Sequence, residues 1–220
     1  MSLFMIIACP AFCLGWFLSL PKYERISFIP ALLWGFLSAI VVCTIKAFFI
    51  FSNHIWTASF VLEFLQIFLK DTLLPCALLP AVYFLFSKDS WDFKADSFLP
   101  LMISFYTVFL PYRIFRCGEK LSFFMLFVKP VLYISMIAFV SAMLHNLIPT
   151  IINKDKSKAI KLSAITLGLA IVPALVQSFW YYGGKIYFWL PVSIIYSAAG
   201  FIIYSNFKKE TISEPIFMSM

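Results

Sequence analysis

From Leu162 to Tyr182 the chain carries no charged side chain. At about 1.5 Å per residue this run is about 30 Å long, the thickness of the hydrocarbon core of a bilayer. Further apolar runs occur at Leu3–Leu20, Ile26–Phe51, Ser97–Phe115, Leu121–Ile148 and Ile186–Phe207, and Ile55–Ser87 is longer than any of them. Soluble domains average about 45–50% apolar and about 25% charged residues. This chain is 63% hydrophobic and 12% charged, an excess that only a bilayer accepts as solvent. In hydrocarbon every backbone polar group must be satisfied internally, which leaves helices and closed barrels. Barrel strands would alternate apolar and polar residues over about ten positions, and these runs do not. The sequence therefore predicts an all-α fold, a polytopic transmembrane helical bundle of about seven spans, with six to eight compatible with the runs. It reads as one membrane domain over 1–207 and a short cytoplasmic tail over 208–220.

The formal charge of +7 is spread over short loops rather than gathered into a basic stripe interleaved with aromatics. That distribution argues for membrane anchoring and against nucleic acid. With seven spans, the loops after the first, third and fifth, together with the tail, hold Lys22, Arg25, Lys88, Lys94, Lys154, Lys156, Lys158, Lys161, Lys208 and Lys209. The opposite side holds Arg113, Arg116, Lys120 and Lys185. The positive-inside rule then places the N-terminus outside and the C-terminus in the cytoplasm, in a membrane of the bacterial inner (plasma) type. This assignment needs Ile55–Ser87 to cross once, bent at Pro75 and Pro80, rather than twice. Lys88–Asp96 is expected as a polar loop and Pro149–Lys161 as a four-lysine loop. Trp180, Tyr181, Tyr182, Tyr187 and Trp189 are expected as an aromatic belt around the turn at Gly183-Gly184.

Cys9, Cys13, Cys43, Cys76 and Cys117 are scattered, with no CxxC pair and no zinc spacing, and read as small buried hydrophobes. Ile6-Ile7-Ala8-Cys9 has the form of a lipoprotein cleavage box, but the apolar stretch before it is short and no basic residue precedes it. No HExxH, GxSxG, P-loop or GxGxxG sequence occurs, so no cofactor or metal is expected. His145 reads as interfacial, and His54 lies in a turn.

Charge inside an apolar run is expensive and normally faces protein or water. In Ile55–Ser87, Glu63, Gln66 and Lys70 fall within roughly 60° of one another on a helix at about 100° per residue. Counting about 1.5 Å per residue, Lys46, Glu63, Lys129 and Gln177 lie roughly 9–15 Å inside the outer boundary. These six residues are the expected polar centre, with Lys46 or Lys129 as the partner of Glu63. The alternative for both lysines is snorkelling to the headgroups. Such a centre would bind or scaffold another membrane protein or transmembrane segment. Two other uses are open: an ion or solute path along Glu63, Gln66 and Lys70, or peptidase chemistry with Glu63 as base.

The order of features resembles the PrsW-type intramembrane peptidases, relatives of the CAAX-processing membrane proteases. Pro21-Lys22-Tyr23-Glu24-Arg25 precedes a span, then an acidic, lysine-bearing helix, then a polar loop ending in Lys94-Ala95-Asp96, then an aromatic-rich span and a basic turn. The resemblance covers roughly residues 20–205, by layout. The family implies a Glu-Glu-x-x-Lys motif whose carboxylates activate water, where this chain has Gln66-Ile67-Phe68-Leu69-Lys70. The positions matching the family's Glu-Asn pair are Phe109-Leu110, and those matching its later histidines are near Lys129 and at Gln177. Neither glutamine nor isoleucine is a titratable base, so the resemblance implies a non-catalytic relative.

Overall fold

A computed structural model describes residues 28–48, 59–87, 91–116, 124–183 and 186–213, and among them every regular element is helical. Six helices follow one another: α1 (Ile29–Phe48), α2 (Phe60–Phe86), α3 (Trp91–Arg116), α4 (Lys129–Ile152), α5 (Lys156–Tyr181) and α6 (Ile186–Ser213). Four of them, α1, α2, α4 and α5, are long and apolar enough to cross a membrane. The expected first span, Leu3–Leu20, and the box ending at Cys9 lie outside the described residues.

Successive helices alternate in direction. Asp96 meets His145 at 3.4 Å and Tyr106 meets Tyr133 with ring centroids 5.0 Å apart, so α3 and α4 run antiparallel. Phe60 packs on Phe179 at 5.0 Å, which sets the start of α2 beside the end of α5. One end of the bundle therefore gathers the close of α1, α3 and α5 with the opening of α2 and α4.

Burial runs opposite to a soluble protein's amphipathic pattern. From Leu132 to Ser141 every residue of α4 is buried, and α3 is enclosed over most of its length. A helix apolar on all sides belongs in such a position. The surrounding helices turn large apolar side chains outward, among them Leu33, Leu37 and Val41 on α1, a surface suited to lipid. Close helix approach relies on small residues. Ala31, Gly35, Ala39 and Cys43 form the buried stripe of α1. A Cβ at Gly35 would run into the Leu101 carbonyl and the Ser104 hydroxyl of α3. On α6, a Cβ at Gly200 would run into Ser135 of α4, though less closely.

Several loop expectations need correction. Lys88–Asp96 is not a loop throughout: α3 begins at Trp91, and Lys94 is buried with its ammonium donating to the Phe84 carbonyl at 2.9 Å. Lysine there closes the last turn of α2, whose carbonyls lack helical partners. In Pro149–Lys161 only Asn153–Asp155 is non-helical; Asp155 caps α5 by accepting from the Lys158 backbone N–H at 3.1 Å. Lys156, Lys158 and Lys161 are exposed on the first turns of that helix. Helix α6 runs through Lys208-Lys209 to Ser213, past the expected start of the tail. The aromatic belt is divided: Tyr182 and Tyr187 are exposed, whereas Trp189 is buried edge-on to Phe124 and Trp180 stacks on the same ring. Gly183, at φ +66°, makes the left-handed turn that ends α5.

Candidate functional site

Two wide turns shape the gathered end of the bundle. Phe68–Leu73 within α2 and Phe124–Val128 before α4 wind as π-helix, and each ends two residues before a proline, Pro75 and Pro130. Proline has no N–H for the carbonyl four residues back and its ring crowds that carbonyl. For Pro75 that carbonyl belongs to Asp71. The Tyr106 hydroxyl of α3 donates to it instead, at 2.7 Å.

The wide turn also changes which side chains face inward. In an unbroken α-helix Lys70 would lie roughly 20° from Glu63 and Asp71 roughly 80° from it. A π-turn takes up about one extra residue, which hands the place of Lys70 on that face to Asp71. Glu63, Ile67 and Asp71 are accordingly all buried, and Lys70 is half-buried.

Asp71, 1% exposed, pairs with Arg113 of α3, 3% exposed. Both Nε and Nη2 of Arg113 donate to the Asp71 Oδ2, at 3.1 and 2.9 Å. Lys129 is 1% exposed and near enough to attract the same carboxylate, yet its ammonium has no hydrogen-bond partner among the described residues. No hydrogen bond joins Lys129 to Glu63. Tyr133 lies beside Thr72 and close to the pair. A buried ion pair gains Coulomb energy only against a desolvation cost of several kcal/mol per ion. Its two partners are held by different helices, so the pair also locks α2 to α3.

The six residues expected from sequence are partly brought together. Lys46 extends over the Phe109 ring, 4.5 Å from its centroid, within the electrostatic reach of Asp71, Arg113 and Lys70. Lys46 and Lys70 line one cleft. Glu63 is fully buried two turns before Asp71, on the stretch of α2 that packs Ile67 against Ala174, one turn from Gln177. Gln177, also fully buried, donates from Nε2 to the Tyr181 hydroxyl at 3.0 Å. Gln66 is half-buried. Helix α2 is continuous from Phe60 to Phe86, without a re-entrant break.

Sequence reasoning left Asp71 out of the polar centre and counted Arg113, at the end of the run Ser97–Phe115, among the loop charges. The available clue was the recurrence of charge close before proline, in Lys70-Asp71 ahead of Pro75 and in Lys129-Pro130. A second clue was Tyr106 and Arg113 at i, i+7 on one face of an apolar helix. No group of three or more histidine, cysteine or acidic side chains able to hold a metal occurs among the described residues. The Asp71 Oδ2 is engaged twice by arginine, an arrangement that fixes charge rather than frees a base. No family model, curated protein or solved structure matches the chain.

Proposed function

We propose that this protein is a multi-pass membrane protein that binds or scaffolds a membrane partner through the polar centre around Asp71, without catalysis of its own. The observation that carries this reading is the Asp71–Arg113 pair, 1% and 3% exposed, presented by a π-turn. Two packed apolar residues would serve stability as well or better. Intramembrane charge is costly and commonly marks a functional site. π-turns recur at functional sites for a related reason, since they aim side chains that a regular helix would misdirect. The partner is a second membrane protein or a transmembrane segment that brings a polar group to this end of the bundle.

Seven spans belong to the same proposal, with Leu3–Leu20 as the first, an outside N-terminus and a cytoplasmic C-terminus in a bacterial inner membrane. Lys94 and Arg113 leave the loop-charge comparison because both are buried, one from each side, so its sign is unchanged. A PrsW-type lineage enters on layout alone, as one that has lost its motif carboxylates at Gln66 and Ile67. Chemical cross-linking in native membranes, followed by purification in mild detergent, tests the reading. A defined second membrane protein should be captured by the wild type and lost from a variant in which Asp71 and Arg113 are both leucine. Repeated recovery of an uncross-linked monomer would count against it.

A further inference from the structure

The polar end of the bundle holds more cations than carboxylates. Lys46, Lys70, Arg113 and Lys129 stand there against Glu63 and Asp71. Arg113 is paired with Asp71. Even with Lys70 set against Glu63, the charges of Lys46 and Lys129 are left over. Lys129 is fully enclosed, out of reach from outside the bundle. Lys46 is half-buried and lines a cleft of about 200 Å³ between α1, α2 and α3. Leu74 and Leu78 on the wall of that cleft are exposed, so it opens toward the lipid.

Lys46 is an intramembrane cation rather than a headgroup anchor. Counting about 1.5 Å per residue places it roughly 9–15 Å inside the outer boundary. Its ammonium lies 4.5 Å from the centroid of the Phe109 ring, one turn before Arg113 on α3. The side chain therefore turns into the protein instead of snorkelling outward. Among the described residues no carboxylate lies within 4.0 Å of that ammonium. Asp71, the carboxylate that attracts it, already accepts twice from Arg113. Charges inside a membrane normally pair with one another, and this one lacks its counterpart.

A lipid phosphate stays at headgroup depth, well short of Lys46. A whole helix does not fit the cleft either, since at about 10–12 Å wide and 5.4 Å in pitch it fills roughly 400–600 Å³ per turn. A single side chain does fit, reaching in from a helix that packs along Leu74 and Leu78. A second copy of the chain has no such side chain to offer among the described residues, because Glu63 and Asp71 are both buried. Building on the partner binding proposed above, we propose that the partner is a different membrane protein whose transmembrane helix carries an aspartate or glutamate within its span, and that this carboxylate enters the cleft to pair with Lys46. A lone carboxylate in hydrocarbon is costly, and pairing offsets that cost only where the two charges meet. The cleft thus selects its partner by sign of charge and by depth together.

The test uses the full chain in phosphatidylcholine vesicles with synthetic transmembrane peptides of leucine and alanine, about twenty residues long. Association is read by energy transfer between labels. The peptides differ at one position, roughly 6–10 residues from one end to match the depth of Lys46, which is glutamate, glutamine or lysine. Close charge pairs across interfaces couple by at least roughly tenfold in affinity. The glutamate peptide should therefore bind about tenfold or more tightly than the glutamine peptide, and the lysine peptide no better than the glutamine one. Lys46→Gln should bring the glutamate and glutamine peptides to parity, and Lys46→Arg should keep the difference. The peptide variants leave the protein untouched, so they decide the matter even where Lys46→Gln does not fold. Equal binding of the glutamate and glutamine peptides to the wild type, or an undiminished preference in Lys46→Gln, overturns the proposal. If a partner is still captured by cross-linking in that case, the scaffolding role stands without the acidic partner. Failure to capture any partner overturns the scaffolding role itself.

Discussion

Two acid–base pairs sit at opposite ends of α3, about 25 Å apart by helical rise, and their surroundings differ more than their chemistry. Asp71 and Arg113 are 1% and 3% exposed and meet at 2.9 Å through two donors on one oxygen. Asp96 and His145 are 30% and 49% exposed and meet at 3.4 Å, as an ion pair only when the histidine is protonated. Exposed pairs contribute about 0–1 kcal/mol because water and salt screen them. A buried pair contributes little net stability, yet losing one partner is costly because it strands the other charge. The Asp71 end of the bundle is therefore intolerant of single changes, and the Asp96 end is tolerant.

Four substitutions, with Pro75→Ala as a control for one of them, probe that contrast, each read by unfolding in mixed micelles of mild detergent and dodecyl sulfate. Asp71→Leu should have the largest effect, a loss of about 3–5 kcal/mol, because Arg113 is left buried and unpaired. A loss below that of Asp96→Asn would break the comparison at its root. Gly35→Val comes next, at about 1–3 kcal/mol, since the new methyl groups must force α1 away from the Leu101 carbonyl. That loss arises from packing alone, and it should leave the effect of Asp71→Leu additive. Tyr106→Phe should cost a similar or smaller amount, about 1–3 kcal/mol, by stranding the Asp71 carbonyl that Pro75 cannot serve. If Tyr106→Phe proves neutral while Pro75→Ala destabilises, the wide turn does not depend on the tyrosine. Asp96→Asn should change stability least, by less than about 1 kcal/mol.

The same contrast explains what was legible in the sequence. Continuous runs such as Leu162–Tyr182 declare a membrane helix because hydrocarbon demands both length and apolarity. Of the four polar residues placed deep by counting, Glu63, Lys129 and Gln177 are buried and Lys46 is half-buried. Their pairing was not legible, because the face a residue occupies depends on the local period. The π-turn at Phe68–Leu73 replaces Lys70 with Asp71 on the inner face, and a uniform 3.6-residue period cannot anticipate it. Arg113 was misplaced for a related reason. Counting charges at the end of a run treats arginine as loop, although a buried carboxylate on another helix can draw it inward. Lys94 shows the same effect at the other end of α3, where a helix carbonyl is the attractor.

The central claim is that the buried pair serves recognition rather than stability. Replacing both residues together, Asp71→Leu with Arg113→Leu, removes the charge without stranding a partner. The account predicts unfolding within about 1 kcal/mol of the wild type, because packed apolar residues substitute for a buried pair. It also predicts that capture of the membrane partner by cross-linking is lost. A double variant that unfolds as readily as Asp71→Leu alone, or that still captures the partner at the wild-type level, would contradict it.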